Sequence, residues 1–189
     1  MNTHESFSHS LVTSKLWLCE QLEQAIIEEN IKNPIVHILA GWDNLLGFMM
    51  AIRKPKLYGS IHNYDINPEH ISMADKLCDN WIYEYPKMYN MVQDINNLQF
   101  AFDKKQVFIN CSVDQIEGTT WYDIIPNGSL VCLQCTDLPV GHDGWDIKQS
   151  YSIHDFANMY KLSAVKYCSS KSFDYGHLTF KRHMIIGIK

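Results

Sequence analysis

Asn33 to Asp65, NPIVHILAGWDNLLGFMMAIRKPKLYGSIHNYD, reads as strand, tight turn, helix and second strand, and it ends on an acidic residue. Pro34 followed by Ile35, Val36 and Ile38 makes an apolar, β-branched run too short for a helix. Gly41 interrupts it, and Asp43 or Asn44 is placed to cap a helix carrying Leu45, Leu46, Phe48, Met49 and Ile52. Lys54-Pro55 stops that helix, and Leu57 to Tyr64 forms the second strand. A strand–helix–strand unit crosses over right-handed, so its strands are parallel. The ligand crevice of such a unit lies beyond the carboxyl ends of the strands, where Gly41 and Asp65 both fall.

That placement has chemical content. A glycine lets the backbone approach a bound molecule with no Cβ between them. Amides at the start of the following helix favour a carboxylate or phosphate. A carboxylate after the second strand can accept two hydrogen bonds from a ribose diol, and Asp65 follows Gly41 by about twenty residues, the dinucleotide-fold spacing. The alternative is a plain turn glycine and an Asp65 that caps a helix at Pro68-Glu69-His70, since the full G-x-G-x-x-G is absent.

Composition excludes several classes. The chain has 189 residues, 46% apolar and 20% charged, which is enough for one domain with a real core. A formal net charge of −5 supplies no general attraction to nucleic acid or anionic membrane. No apolar run is long enough to span a bilayer, and MNTHESFSHS lacks the regions of a signal peptide. Six scattered cysteines read as free thiols, so a cytoplasmic location is expected.

Outward from the opening stretch, Ser10 to Glu29 is an amphipathic helix that either packs on the sheet or lies over the crevice as a lid. Residues 1–30 are a helical extension and 33–189 the core. Asn67 to Trp81 is a second sheet-packing helix, and Tyr89 to Val92 a strand before the turn at Asp94 to Asn97. Gln106 to Asn110 and Ser129 to Gln134 are buried strands. Between them lie a polar cluster, a short helix or turn at Trp121 to Ile125, and a turn at Pro126-Asn127-Gly128. Thr136 to Gln149 is a polar loop and Ser152 to Tyr160 a capped helix. Leu162 to Cys168 and Leu178 to Ile188 pair antiparallel across an SSKSFDYGH loop.

These residues carry a resemblance. The chain resembles the class I S-adenosylmethionine-dependent methyltransferases, and more narrowly a group of small methyltransferase-like proteins of bacteria and their phages. The motifs are Gly41-Trp42, Asp65-Ile66-Asn67-Pro68, Asn110-Cys111-Ser112-Val113-Asp114, Trp121 through Ile125-Pro126-Asn127-Gly128-Ser129, and Arg182-His183-Met184-Ile185-Ile186-Gly187. The resemblance implies an α/β, Rossmann-like three-layer sandwich: a mostly parallel seven-stranded sheet ending in an antiparallel hairpin. It implies S-adenosylmethionine as cofactor, with Ala40, Gly41 and Trp42 under its methionine part, Asp65 and Ile66 at the ribose, and Asp94 and Ile95 at the adenine. Asn110 and Ser112 would face the methyl group and the acceptor. The first turn, A-G-W-D-N-L-L-G, departs from the two or three glycines usual in that family.

Methyl transfer needs alignment of the acceptor and, for some acceptors, removal of a proton. Asp114 is the candidate base, or alternatively a cap for Val113 to Ile116. Asn110 and Gln115 are candidates to orient an amine or hydroxyl, with Asn110 alternatively satisfying its strand end. Trp121 and Trp42 are candidate walls of the site, with Trp121 alternatively in the core. Metal chemistry is not expected. Cys132 and Cys135 would point to opposite faces of a strand, His142 adds little to them, and His37 and His62 sit inside strands. Cys111 as a nucleophile lacks a placed histidine partner, and P-loop chemistry lacks its motif.

A small-molecule acceptor is favoured. The cluster Lys161, Lys166, Lys171, Lys181 and Arg182 supports a tRNA or DNA acceptor as an alternative. A catalytically inactive nucleoside-binding module or scaffold of the same fold is the reading from another class. A nicotinamide-dependent reductase lacks the glycines its pyrophosphate needs. No membrane partner is expected, and oligomeric state is open.

Overall fold

The computed structural model describes residues 8–79, 81, 86–142, 146–175 and 178–189. Strands β1 (Ile35–Leu39), β2 (Ser60–Asp65), β3 (Lys87–Val92), β4 (Gln106–Asn110), β5 (Leu130–Thr136), β6 (Ala164–Tyr175) and β7 (Leu178–Ile188) form one sheet in the order β3-β2-β1-β4-β5-β7-β6. The first five are parallel to their neighbours, and β7 runs antiparallel to β5 and to β6. The helices are α1 (His9–Glu28), α2 (Leu45–Arg53), α3 (Pro68–Cys78), α4 (Thr120–Asp123) and α5 (Ile153–Met159).

This is the expected mostly parallel α/β sheet with an antiparallel end. β5 is buried along its whole length, and β1 and β4 at all but their first residue, as strands covered on both faces must be. Cys132 packs in the core on the α1 and α2 side and Cys135 in the core beneath α5, so strand periodicity does place them on opposite faces. α1 contacts β5, β6, β7 and α2, the sheet-packing role.

Two expectations are corrected. Ser169 to Tyr175 of the SSKSFDYGH segment is not a loop: β6 continues as strand to Tyr175 and pairs residue for residue with β7, while Gly176 and His177 lie outside the described residues. Ser170, Lys171, Ser172 and Asp174 are exposed on this edge strand, on both of its faces, so no apolar–polar alternation marks it in the sequence. Asp65 does not cap α3; Asn67 does, its side chain accepting from the Glu69 amide at 2.9 Å. Of the opening MNTHESFSHS, positions 1–7 lie outside the described residues, as do positions 82–85 before β3. No helix of the described residues is long and apolar enough to cross a membrane.

Candidate functional site

The carboxyl ends of β1, β2, β4 and β5 meet at the turn Ala40-Gly41-Trp42-Asp43-Asn44. Ala40, Trp42 and Asn44 have φ of 53°, 55° and 58°. Three alternate residues thus adopt the left-handed conformation that glycine takes at low cost, at about 1–2 kcal/mol each for a residue with a Cβ and less for Asn. Gly41 itself has an ordinary φ. It is required by space: a Cβ there would stand 2.0 Å from Asn63 Oδ1 and 2.6 Å from Ile38 Cγ2.

Contacts from neighbouring strands hold this strained turn. The Gly41 amide donates to the Tyr64 carbonyl at 3.1 Å, and the Trp42 amide to Asp65 Oδ2 at 3.0 Å. Asn63, fully buried on β2, donates to the Trp42 carbonyl at 3.0 Å. The Asn44 amide donates to the Gly41 carbonyl at 3.1 Å and the Leu45 amide to Asp43 Oδ1 at 3.2 Å. The amides of Gly41, Trp42, Asn44 and Leu45 are therefore all taken. The expectation that the start of α2 offers amides to an anion therefore does not hold for these four.

Asp65 is buried, 5% exposed, and it faces the turn. Its Oδ1 accepts from the Asn67 amide at 2.9 Å and lies 3.1 Å from His70 Nδ1. A carboxylate has about four lone-pair sites. Three are occupied, so Asp65 has one left, on Oδ2, for one ribose hydroxyl rather than the expected two. The indole of Trp42 packs on the His70 ring, centroids 5.7 Å apart, on the outer side of this cluster.

Two cavities flank the turn. One, of about 240 Å³, is bounded by Ala40, Asp65, Ile66, Asp94, Ile95 and Gln115. It gathers the residues expected at ribose and adenine. Asp94 also caps the short 3₁₀ turn after β3, accepting from the Asn96 amide at 2.9 Å. The other, of about 40 Å³, is bounded by Gly41, Trp42, Ser112, Asp114, Thr136 and Arg182, with Leu11 and Lys15 of α1 over it. It has room for only a few waters. Ala40 and Gln115 line both. The first turns of α1 thus do cover the crevice, while the rest of the helix packs on the sheet.

Asp114 is 2% exposed. Its Oδ2 accepts from the Thr136 amide at 2.8 Å and from Thr136 Oγ1 at 2.5 Å. Burial raises its pKa above the usual carboxylate value, against the opposing pull of those hydrogen bonds and of Arg182. Ser112 Oγ lies 3.5 Å from the Ala40 carbonyl, tying β4 to the turn.

Two expected site residues are not brought to either cavity. Asn110 is fully buried; its Oδ1 accepts from the Ser112 amide at 2.9 Å, and it shapes the end of β4. Trp121 is fully buried among Tyr122 and Tyr160, ring centroids 5.9 and 5.5 Å away. It belongs to the core under α4 and α5, as the alternative reading held, and does not wall the crevice. Conversely, Lys15, Thr136 and Leu11 were not anticipated. Each comes from an element distant in sequence, with no local motif to mark it.

No protein-family model and no curated protein sequence matches the chain. Its structure is similar to solved ones. NodS, an N-methyltransferase of Bradyrhizobium japonicum in complex with S-adenosyl-L-homocysteine, superposes with a TM-score of 0.68 at 9% identity, over 98% of this chain and 91% of that one. An S-adenosylmethionine-dependent methyltransferase of Clostridium acetobutylicum gives 0.62 at 12% identity, over 98% and 99%. Magnesium protoporphyrin IX methyltransferase of Synechocystis, with bound S-adenosylmethionine, gives 0.63 at 10% identity, over 94% and 81%. The chain therefore has the fold of the class I S-adenosylmethionine-dependent methyltransferases.

Proposed function

We propose that this protein binds S-adenosylmethionine and transfers its methyl group to a small-molecule acceptor. One observation carries the reading: Asp65, Ile66, Asp94 and Ile95 converge with Ala40 on one cavity, and Asp65 keeps an acceptor site on Oδ2 beside the turn. That donor and acceptor set fits a nucleoside, a ribose hydroxyl at Asp65 and the adenine beside Ile95. The amino-acid part of the cofactor would lie over Ala40, which lines both cavities, because the smaller one, at about 40 Å³, holds only a few waters.

When bound, the cofactor supplies a sulfonium methyl that is already electrophilic. The residues of this chain align the acceptor and accept its proton. Asp114 is the base. Its Oδ2 is committed to Thr136, so the proton goes to Oδ1, and burial raises its affinity for that proton. Gln115, shared by both cavities, orients the acceptor, and Ser112 holds β4 against the turn.

The net charge of −5 favours a small acceptor over nucleic acid. Of the five basic residues near the hairpin, Arg182 is buried at 7% exposure and Lys166 is paired with Glu29, which leaves Lys161, Lys171 and Lys181 exposed. Phosphate tracking needs exposed, unpaired cations in a row.

Calorimetry with S-adenosylmethionine and S-adenosylhomocysteine tests the reading. Binding of either is the expected result, and no binding by either at millimolar ligand overturns it. Transfer of a labelled methyl group to a metabolite extract rather than to tRNA or DNA supports the acceptor class. Binding with no transfer to any of these supports the inactive nucleoside-binding module instead.

A further inference from the structure

Arg182 and Lys15 are unaccounted for by the nucleoside cavity or by proton transfer. Arg182, on β7, is 7% exposed, and its Nε is buried with no hydrogen-bond partner. It lines the small cavity. Lys15, half-buried on α1, lines the same cavity, and burial lowers its pKa. Among the described residues neither cation closes an ion pair. Two cations desolvated together with no directly paired carboxylate are costly, and an anion between them offsets that cost.

The cavity's own carboxylates act on these cations only at a distance: Asp43 caps the Leu45 amide through Oδ1, Asp114 is held by Thr136 through Oδ2, and neither closes an ion pair with Lys15 or Arg182. The amides of Gly41, Trp42, Asn44 and Leu45 are occupied as well, which leaves the two side-chain cations as the charged groups facing an anion here.

Topology says which anion. Arg182 pairs in register with Thr136 at the end of β5, and in the order β1-β4-β5-β7 its strand lies three places from β1, ~14 Å at ~4.8 Å per strand. The nucleoside cavity is on the opposite side of Ala40, towards β2 and β3. Arg182 therefore lies on the Asp114 side of the cavity away from Asp65, where an acceptor would enter, with Lys15 on the helix above.

We propose that the acceptor carries a carboxylate or phosphate, held by Arg182 of β7 and Lys15 of α1, so that α1 closes over an acidic substrate. This rests on the function proposed above and names its substrate class.

The test uses the full chain with inorganic phosphate and benzoate as probes and benzamide as the uncharged control, at fixed chloride. Titrations are run with and without S-adenosylhomocysteine. Saturable binding of phosphate or benzoate but not benzamide is expected. It should weaken about tenfold or more in Arg182→Gln and in Lys15→Gln and partly recover in Arg182→Lys, the scale of a lost charge-assisted hydrogen bond. S-adenosylhomocysteine affinity should stay within about threefold in all variants. No saturable anion binding, or binding unchanged in the variants, overturns the proposal. So does a tenfold loss of S-adenosylhomocysteine in Arg182→Gln with 5′-methylthioadenosine unaffected, since the anion is then the cofactor's own carboxylate. Should Arg182→Gln not fold, Lys15→Gln and Arg182→Lys decide alone. Failure of S-adenosylhomocysteine to bind overturns the methyltransferase reading instead, and the titrations without it still decide whether the anion site exists.

Discussion

The Trp42 amide donates to Asp65 Oδ2 at 3.0 Å, so the carboxylate placed to hold a ribose also holds the turn beneath it. Nucleoside binding and local stability are coupled at one side chain. Asp65→Asn keeps the shape but turns an amide N–H towards backbone donors on one side. Both Asp65→Asn and Asp65→Ala should lower stability by about 1–3 kcal/mol, the cost of an unsatisfied buried partner. Both should weaken S-adenosylhomocysteine about tenfold, given a hydrogen bond to a charged group worth ~1.5–3 kcal/mol. Urea denaturation and calorimetry measure the two effects. A variant that binds as wild type removes Asp65 from the site.

The turn predicts opposite outcomes at adjacent positions. Ala40 sits at φ 53°, so Ala40→Gly relieves left-handed strain of about 1–2 kcal/mol and adds unfolded-chain entropy of about 0.4–1 kcal/mol. Its stability should be unchanged or up to about 1.5 kcal/mol higher. Gly41→Ala instead drives a Cβ to 2.0 Å from Asn63 Oδ1 and should cost about 1–3 kcal/mol as an overpacked site. Chemical denaturation of the pair distinguishes strain from steric need.

His37 makes stability depend on pH. It lies against Phe100 and Phe108, its Nδ1 3.0 Å from Tyr64 Oη, and burial with the nearby His62 pushes its pKa down to about 3. The unfolded chain takes up a proton below about 6.5, and the folded protein does not. Stability is therefore lost as pH falls from about 6.5 towards about 3, at up to ~1.4 kcal/mol per pH unit from this group. His37→Phe should flatten that slope between pH 7 and 5, measured by denaturation at each pH. An unaltered slope would assign it to other groups.

Thr136 supports the proposed base. Thr136→Val removes the hydroxyl that donates to Asp114 Oδ2 at 2.5 Å while keeping the shape. It should cost about 1.5–3 kcal/mol where Asp114 is ionised, as expected for a hydrogen bond to a buried charge. It should also move the acid limb of the methyl-transfer pH profile upward, because one stabilising donor to the carboxylate is gone. Serine at this position should restore both.

Trp121 should behave as core. Trp121→Ala should cost about 3–5 kcal/mol. Trp121→Phe should fold and bind S-adenosylhomocysteine within about threefold of wild type, since the indole faces Tyr122 and Tyr160 and its Nε1 has no partner to lose. Selective loss of acceptor affinity in Trp121→Phe would return it to the site.

The architecture was legible from local sequence. The apolar run Ile35 to Ile38, the break at Gly41 and the acid at Asp65 imply a parallel crossover, and the alternation before Ile188 implies an antiparallel end, because both rest on periodicity and turn chemistry within a few residues. Asp65, the last residue of β2, was legible as a cavity residue for the same reason, whereas Asp94, two residues past β3, followed from the resemblance to the methyltransferases. Tertiary structure alone decided the rest. That the Gly41 and Trp42 amides are occupied depends on the Tyr64 carbonyl and Asp65 Oδ2 reaching across from β2. That Trp121 is core depends on Tyr160 of a distant helix end. That Arg182 and Lys15 share a cavity with Asp114 depends on β7 pairing with β5 and α1 folding back over both. Such contacts join residues far apart in the chain, and no spacing along a single segment encodes which side chains the closed sheet will leave facing each other.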